Sequence, residues 1–268
     1  MKFETLELRV EGALGRLTLN RPERLNALGA TSLRELAQAA RFFDEQPEVR
    51  VVIVSGKGRA FSAGADLHDT PVKGASPKSG LPWHVRREAG QLGLRMADAL
   101  ESMHAVTIAQ VQGYAVGGGL VLMAACDLRV AAEDAVFSIP EVDLGIPLAW
   151  GGIPRLVREI GPALTKELVM TCRRFTPAEA KVAGFVNRVV PAAALEAEVE
   201  GLARELLEKP SVPVAVTKEH VNSVARAMGA GSTAFADGDG LIAAVFDPES
   251  SEAARRYVER TFKAKRRG

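Results

Sequence analysis

Cysteine is scarce in this chain: there are two among 268 residues, Cys126 and Cys172, both in apolar, helix-like runs. A chain of this size with two thiols needs no disulfide framework, so both read as buried free cysteines. An excess of charge of one sign is also missing, because 34 basic residues face 33 acidic ones and the net charge is +1. No global field then draws the protein to nucleic acid or to an anionic membrane, and an anionic ligand must be met by local groups. No stretch approaches the roughly 20 apolar residues of a membrane span. The opening MKFETLELRV alternates and carries charge, unlike a signal or transit peptide, and a cytoplasmic protein is expected. His68, His84, His104 and His220 show no metal-ligand spacing, so no metal is expected. The chain has no G-x-S-x-G elbow, no Walker A loop and no G-x-G-x-x-G fingerprint, and neither an internal repeat nor a low-complexity tract stands out.

What is present fits one large domain, alone or with a small appendage, at 47% hydrophobic and 25% charged residues. Phe3 to Val10 and Leu14 to Asn20 read as a hairpin around a Gly-containing turn. Thr31 to Gln46 reads as a helix with Leu33, Leu36, Ala37, Ala40 and Phe43 on one face, and Ser32 with Glu35 as a possible capping box. Val51 to Val54 and Val106 to Val111 are short continuous runs rich in β-branched residues, as expected of strands buried on both faces. A helix is expected from about Val85 to His104, another after Gly117 to Gly119, and extended chain again over Leu128 to Ala131. Strands alternating with helices indicate α/β layering with parallel strands. Thr70 to Pro82, rich in Pro, Gly, Ser and Lys, reads as a surface loop able to close over a neighbouring site. From Pro191 onward the pattern is helical, over Leu195 to Glu208, Val214 to Met228 and Ser250 to Lys263.

Three glycine-centred segments can carry chemistry. SGKGRAFSAGADL (55–67) follows the first buried strand, and its glycines let backbone N–H groups approach a ligand; a plain turn is the alternative. QGYAVGGGLVLMAACD (112–127) feeds a triple glycine into a hydrophobic helix, placing free amides at the positive end of the helix dipole; close helix–strand packing explains it equally well. FSIPEVDLGIPLAWGG (137–152) sets Glu141 in a run that is apolar apart from Ser138 and Asp143. A carboxyl in such surroundings is less acidic than in water, which suits proton transfer; a surface-loop glutamate is the alternative, and the favoured one for this segment taken alone.

In this order and spacing, FSAGADL, GYAVGGG and IPEVDLG resemble the crotonase (enoyl-CoA hydratase/isomerase) superfamily, and the likeness extends from LNRPERLNAL (19–28) to the C-terminal helices. The resemblance implies a ββα spiral core over residues 1–190 and a helical, oligomerising region over 191–268, forming homotrimers or hexamers. It implies an acyl-CoA thioester as substrate and no cofactor beyond that coenzyme A. The N–H groups of Ala65 and Gly118 would hold the thioester oxygen. Arg21 and Arg24 would contact CoA phosphate or adenine, with Ala63 and Asp66 near adenine and pantetheine, although solvated surface arginines remain an alternative. Tyr257 and Arg260, in RYVERTFKAKRRG, resemble residues that reach a neighbouring subunit's CoA; the basic tail can equally be a solvated end.

The family's hydratases hold water between two glutamates. Glu141 matches the second, but the first slot holds Val121, which neither accepts a proton nor orients water. One acid suffices to carry a proton from C2 to C4, so the site resembles the family's 3-enoyl-CoA isomerases. Ala149 and Trp150 stand where dienoyl-CoA isomerases and dehalogenases place an aspartate, and the indole can line an acyl pocket. Asp127 reads as structural, and Asp143 is the substitute acid should Glu141 point away. A hydratase with another acid, or a crotonase-fold binding protein without turnover, are the competing expectations.

Overall fold

The computed structural model describes residues 3–69, 80–228 and 234–265, the last four without their side chains. Strands β1 (Leu6–Glu11) and β2 (Leu14–Leu19) form the expected hairpin, turning at Gly12 with φ +62°. Next to β2 lie, in parallel, β3 (Val51–Gly56), β4 (Val106–Val111), β6 (Leu128–Ala132) and β8 (Arg188–Val190), completing a six-stranded sheet. A shorter parallel pair, β5 (Tyr114–Val116) and β7 (Val136–Ser138), stacks separately. Isolated bridges Leu28 to Ala65 and Ser62 to Ala115 extend this second stack into the SAGAD loop.

The period-two geometry of a strand explains why β3 is apolar at successive positions. Val52 and Val54 face a large core formed with helices α1 (Ala30–Asp44), α3 (Leu92–Glu101) and α4 (Gly118–Ala124). Val51 and Ile53, with Ile108 and Val130, face Leu195, Val199, Leu202 and Ala203 of α7 (Leu195–Glu208). Both faces are dry, so both parities must be hydrophobic. The units β4–β5–α4 and β6–β7–α5 (Gly152–Thr171) are successive ββα turns. Helix α6 (Pro177–Val182) precedes β8, and α8 (Ser211–Met228), α9 (Asp237–Phe246) and α10 (Pro248–Lys265) close the chain. No helix among the described residues is long and apolar enough to cross a membrane.

Several expectations change in detail. The helix anticipated over 85–104 is two, α2 (Trp83–Gly90) and α3, joined at Gln91. Helix α1 runs from Ala30 to Asp44 rather than from Thr31 to Gln46, its N-cap is Gly29, and Ser32 with Glu35 forms no capping box. The Glu35 carboxylate instead accepts from the N–H groups of Glu4 (2.7 Å) and Thr5 (2.9 Å), fastening the segment ahead of β1. Helix α5 extends well beyond the helix-like run expected at Cys172, and Gly161 (φ +74°, ψ 165°) with Pro162 interrupts its periodicity in mid-length. Cys126 is buried, and burial pushes its thiol up to about 12, whereas Cys172 is only half-buried. Of the loop expected at 70–82, residues 70–79 lie outside the described residues.

Candidate active site

The SAGAD loop and the triple-glycine turn meet because glycine removes the atoms that would hold them apart. Gly64 has φ +84°, and a Cβ there would strike the carbonyl oxygen of Val116 and come within 3.3 Å of the Gly118 nitrogen. Gly64 accepts at its carbonyl from the Leu28 N–H (2.7 Å), and Asp66 N–H donates to the Leu28 carbonyl (3.0 Å), which pins the loop on both sides of Ala65. The Ala65 N–H between them donates to no acceptor among the described residues. Neither does that of Gly118, the first residue of α4, where the first-turn amides of a helix have no partner of their own. Both residues line one cavity of about 110 Å³, together with Ala63, Gly117 and Val121.

Glu141 enters the same cavity from the turn after β7. Its side chain lies over Gly117 (φ +49°), where any Cβ would collide with its Oε1. The residue is 9% exposed, and its Oε2 has no hydrogen-bond partner among the described residues. Burial without a compensating cation pushes its pKa up to about 7. Pro140, Leu144, Ile146 and Leu148 line the cavity with it, and it is the one acidic side chain among the described residues that do so. Asp143 is exposed and pairs with Arg260 at 3.0 Å, so it does not substitute for Glu141.

The remaining candidates divide. Tyr257 lines this chain's own cavity from α10, half-buried, with the Arg260 guanidinium 5.6 Å from its ring centroid. Burial raises the Tyr257 pKa, reinforced by Glu141 and opposed by a hydrogen bond with Thr261. Arg21 and Asp66 face each other: the guanidinium donates to the Ala27 carbonyl (2.7 Å) and to the Asp66 carboxylate (2.9 Å). Burial alone would raise the Asp66 pKa, but the His68 N–H and Arg21 hold it below the ordinary aspartate value. Arg24 is exposed on the short turn Pro22–Arg24, outside the residues that line the cavity. Asp127 is structural: it accepts from Thr107 N–H (2.7 Å) and Lys218 Nζ (2.7 Å). Among the described residues no group of three or more His, Cys, Asp or Glu side chains is placed to hold a metal.

Sequence reasoning missed two contributors from α9. Leu241 lines the cavity, and Asp237 accepts from the Gly151 N–H at 2.7 Å, securing the loop that carries Trp150. They lie roughly ninety residues from that loop, and no local pattern marks the pairing.

Two amide donors on crossing loops, with a buried acid beside them on stacked ββα turns, are the arrangement of the crotonase fold. An enoyl-CoA hydratase from Mycobacterium avium subsp. paratuberculosis K-10 superposes with a TM-score of 0.84 at 27% identity, over 97% of each chain. The enoyl-CoA hydratase/isomerase family profile matches residues 9–265, and the chain belongs to this family of enzymes. It is 36% identical over 241 residues to the crotonyl-CoA hydratase of Syntrophomonas wolfei, covering 88% of this chain and 90% of that one. It is also 36% identical over 195 residues to a peroxisomal Δ(3,5)-Δ(2,4)-dienoyl-CoA isomerase of Arabidopsis thaliana, covering 70% of each.

Proposed function

We propose that the chain isomerises a 3-enoyl-CoA thioester to the conjugated 2-enoyl-CoA. The thioester oxygen accepts from the N–H groups of Ala65 and Gly118, whose hydrogen bonds strengthen as enolate charge develops. Glu141 takes the proton from C2, the electron pair moves through C3 onto C4, and the same carboxyl returns the proton there. A base poised at about 7 gives and takes a proton with little bias at neutral pH. The observation that carries this reading is the lone acid: Val121, 1% exposed, lines the cavity at the slot where the family resemblance implies a hydratase's first glutamate.

A second reading, hydration of a 2-enoyl-CoA, is favoured by the hydratase relatives, with Tyr257, which lines the same cavity, as the candidate second polar group. In either scheme Arg24, Tyr257 and Arg260 are proposed CoA contacts. Arg21 acts by tying the Ala27 carbonyl to the Asp66 carboxylate, with Ala63 packed beside the ligand. Assembly as trimers or hexamers is part of the proposal and is supported by α8, which has no buried residue and exposes Val212, Val216, Val221 and Val224. The thioester supplies its own CoA and no other cofactor enters.

The test incubates the purified protein separately with a 3-enoyl-CoA and a 2-enoyl-CoA and follows absorbance of the conjugated thioester. Growth from the first supports isomerisation. Loss from the second, with no reaction of the first, replaces it with hydration, and inertness toward both leaves a binding protein.

A further inference from the structure

Trp150 is the largest side chain lining the cavity, yet its backbone sits in the left-handed region at φ +60°, where a bulky residue is rare. Such a conformation persists only when its surroundings hold it. Here the next residue, Gly151, is fastened at both ends: its N–H donates to Asp237, and its carbonyl accepts from Arg155 Nη1 at 3.2 Å. Arg155 is itself buried and paired with Asp98 and Glu101.

The indole, 7% exposed, fills a slot made for it by two glycines. A Cβ on Gly93 of α3 would strike its pyrrole side, and a Cβ on Gly118 would strike its benzo edge. Gly118 is the residue whose amide is the proposed oxyanion donor. The ring therefore stands against the part of the cavity that receives the carbons next to the thioester carbonyl, with Leu241 beside it. The free space, about 110 Å³, is smaller than the ~150 Å³ apolar cavity that admits one benzene.

We propose that Trp150 is the end wall of the acyl site and restricts the enzyme to short acyl chains, of about four carbons. The proposal rests on the thioester reading above. A wall braced by α9 and by the Arg155 ion cluster cannot swing aside at low cost, since Gly93 of α3 and Gly118 of α4 approach the indole so closely that a Cβ on either would strike it. Longer chains must then displace packed atoms, and each excluded methylene weakens binding by roughly tenfold or more.

The test uses saturated thioesters, so that turnover is not needed. Butyryl-CoA and octanoyl-CoA are titrated calorimetrically into the wild-type protein, Trp150→Ala and Trp150→Phe. The expected result is wild-type preference for butyryl-CoA by at least about 100-fold, narrowing to within about tenfold in Trp150→Ala and lying between in Trp150→Phe. Equal wild-type affinity for the two, which requires no variant to fold, overturns the wall and leaves the thioester reading standing. So does an unchanged ratio in a folded Trp150→Ala or Trp150→Phe. Binding of neither thioester by the wild type overturns the thioester reading itself.

Discussion

Two glutamates of equal burial sit in opposite electrostatic settings. Glu101, at the end of α3, is 8% exposed and faces three arginines: Arg158 at 2.9 Å, Arg226 at 3.8 Å, and Arg155 in direct contact. Burial opposes its ionisation, but Arg155 and Arg158 outweigh burial and hold its carboxyl below the ordinary glutamate value. Glu141, 9% exposed, meets apolar side chains and glycine backbone, and its pKa rises to about 7. Burial pushes both carboxyls toward the neutral form, and the partner set decides whether that push prevails. One region uses a carboxylate as mortar between α3 and α5, and the other keeps a carboxyl free to exchange its proton.

The comparison is broken most severely by exchanging acid for amide at each site. Glu141→Gln keeps the shape but cannot move a proton, and turnover of the preferred enoyl-CoA is expected to fall by about 10³-fold while the fold is retained. Steady-state kinetics with circular dichroism check this, and full turnover would remove Glu141 from the mechanism. Glu101→Ala leaves the buried Arg155 with Asp98 alone and takes from the part-buried Arg158 its carboxylate partner, which costs about 3 kcal/mol of folding stability, read by urea denaturation. Kinetic change there should be secondary, because Glu101 does not line the cavity.

A smaller effect separates the two by the sign of their pH dependence. Glu141 binds its proton more tightly when folded, so its contribution is favourable below the unfolded value and is lost as pH rises toward 7. Above that pH, Glu141→Gln should be more stable than wild type by on the order of 3 kcal/mol, a difference that vanishes at pH 4. Glu101 behaves oppositely: its contribution is present above the unfolded glutamate value and is lost as pH falls through its lowered folded value. Denaturation midpoints of the two variants across pH 4 to 8 should therefore diverge from wild type in opposite directions.

The parts of this architecture legible in the sequence are those with a local cause. Buried strands β3 and β4 announce themselves as β-branched runs, α7 runs from Leu195 to Glu208 as its periodicity predicts, and Gly64 and Gly117–Gly119 mark the backbone approach. Glu141 stands out because acids are rare in so apolar a segment. What escaped reading depends on partners far along the chain. Glu35 looks like a capping residue but is taken by the N–H groups of Glu4 and Thr5. Arg21 looks like a free cation until Asp66, 45 residues on, is found to hold it. The full length of helix α5 is hidden because Gly161–Pro162 breaks the period that would have revealed it. Tyr257 proves to reach the cavity of its own chain, a docking decided by the whole of α10 rather than by its local spacing.

The most direct measurement is a side-by-side titration of these two carboxyls by carbon-13 NMR in glutamate-labelled protein, with Glu141→Gln and Glu101→Gln assigning the resonances. The account predicts a Glu141 midpoint near 7 and a Glu101 midpoint below the ordinary glutamate range. A Glu141 resonance that titrates with the exposed glutamates would mean that its carboxyl is solvated or paired, and would contradict a lone acid held for proton transfer.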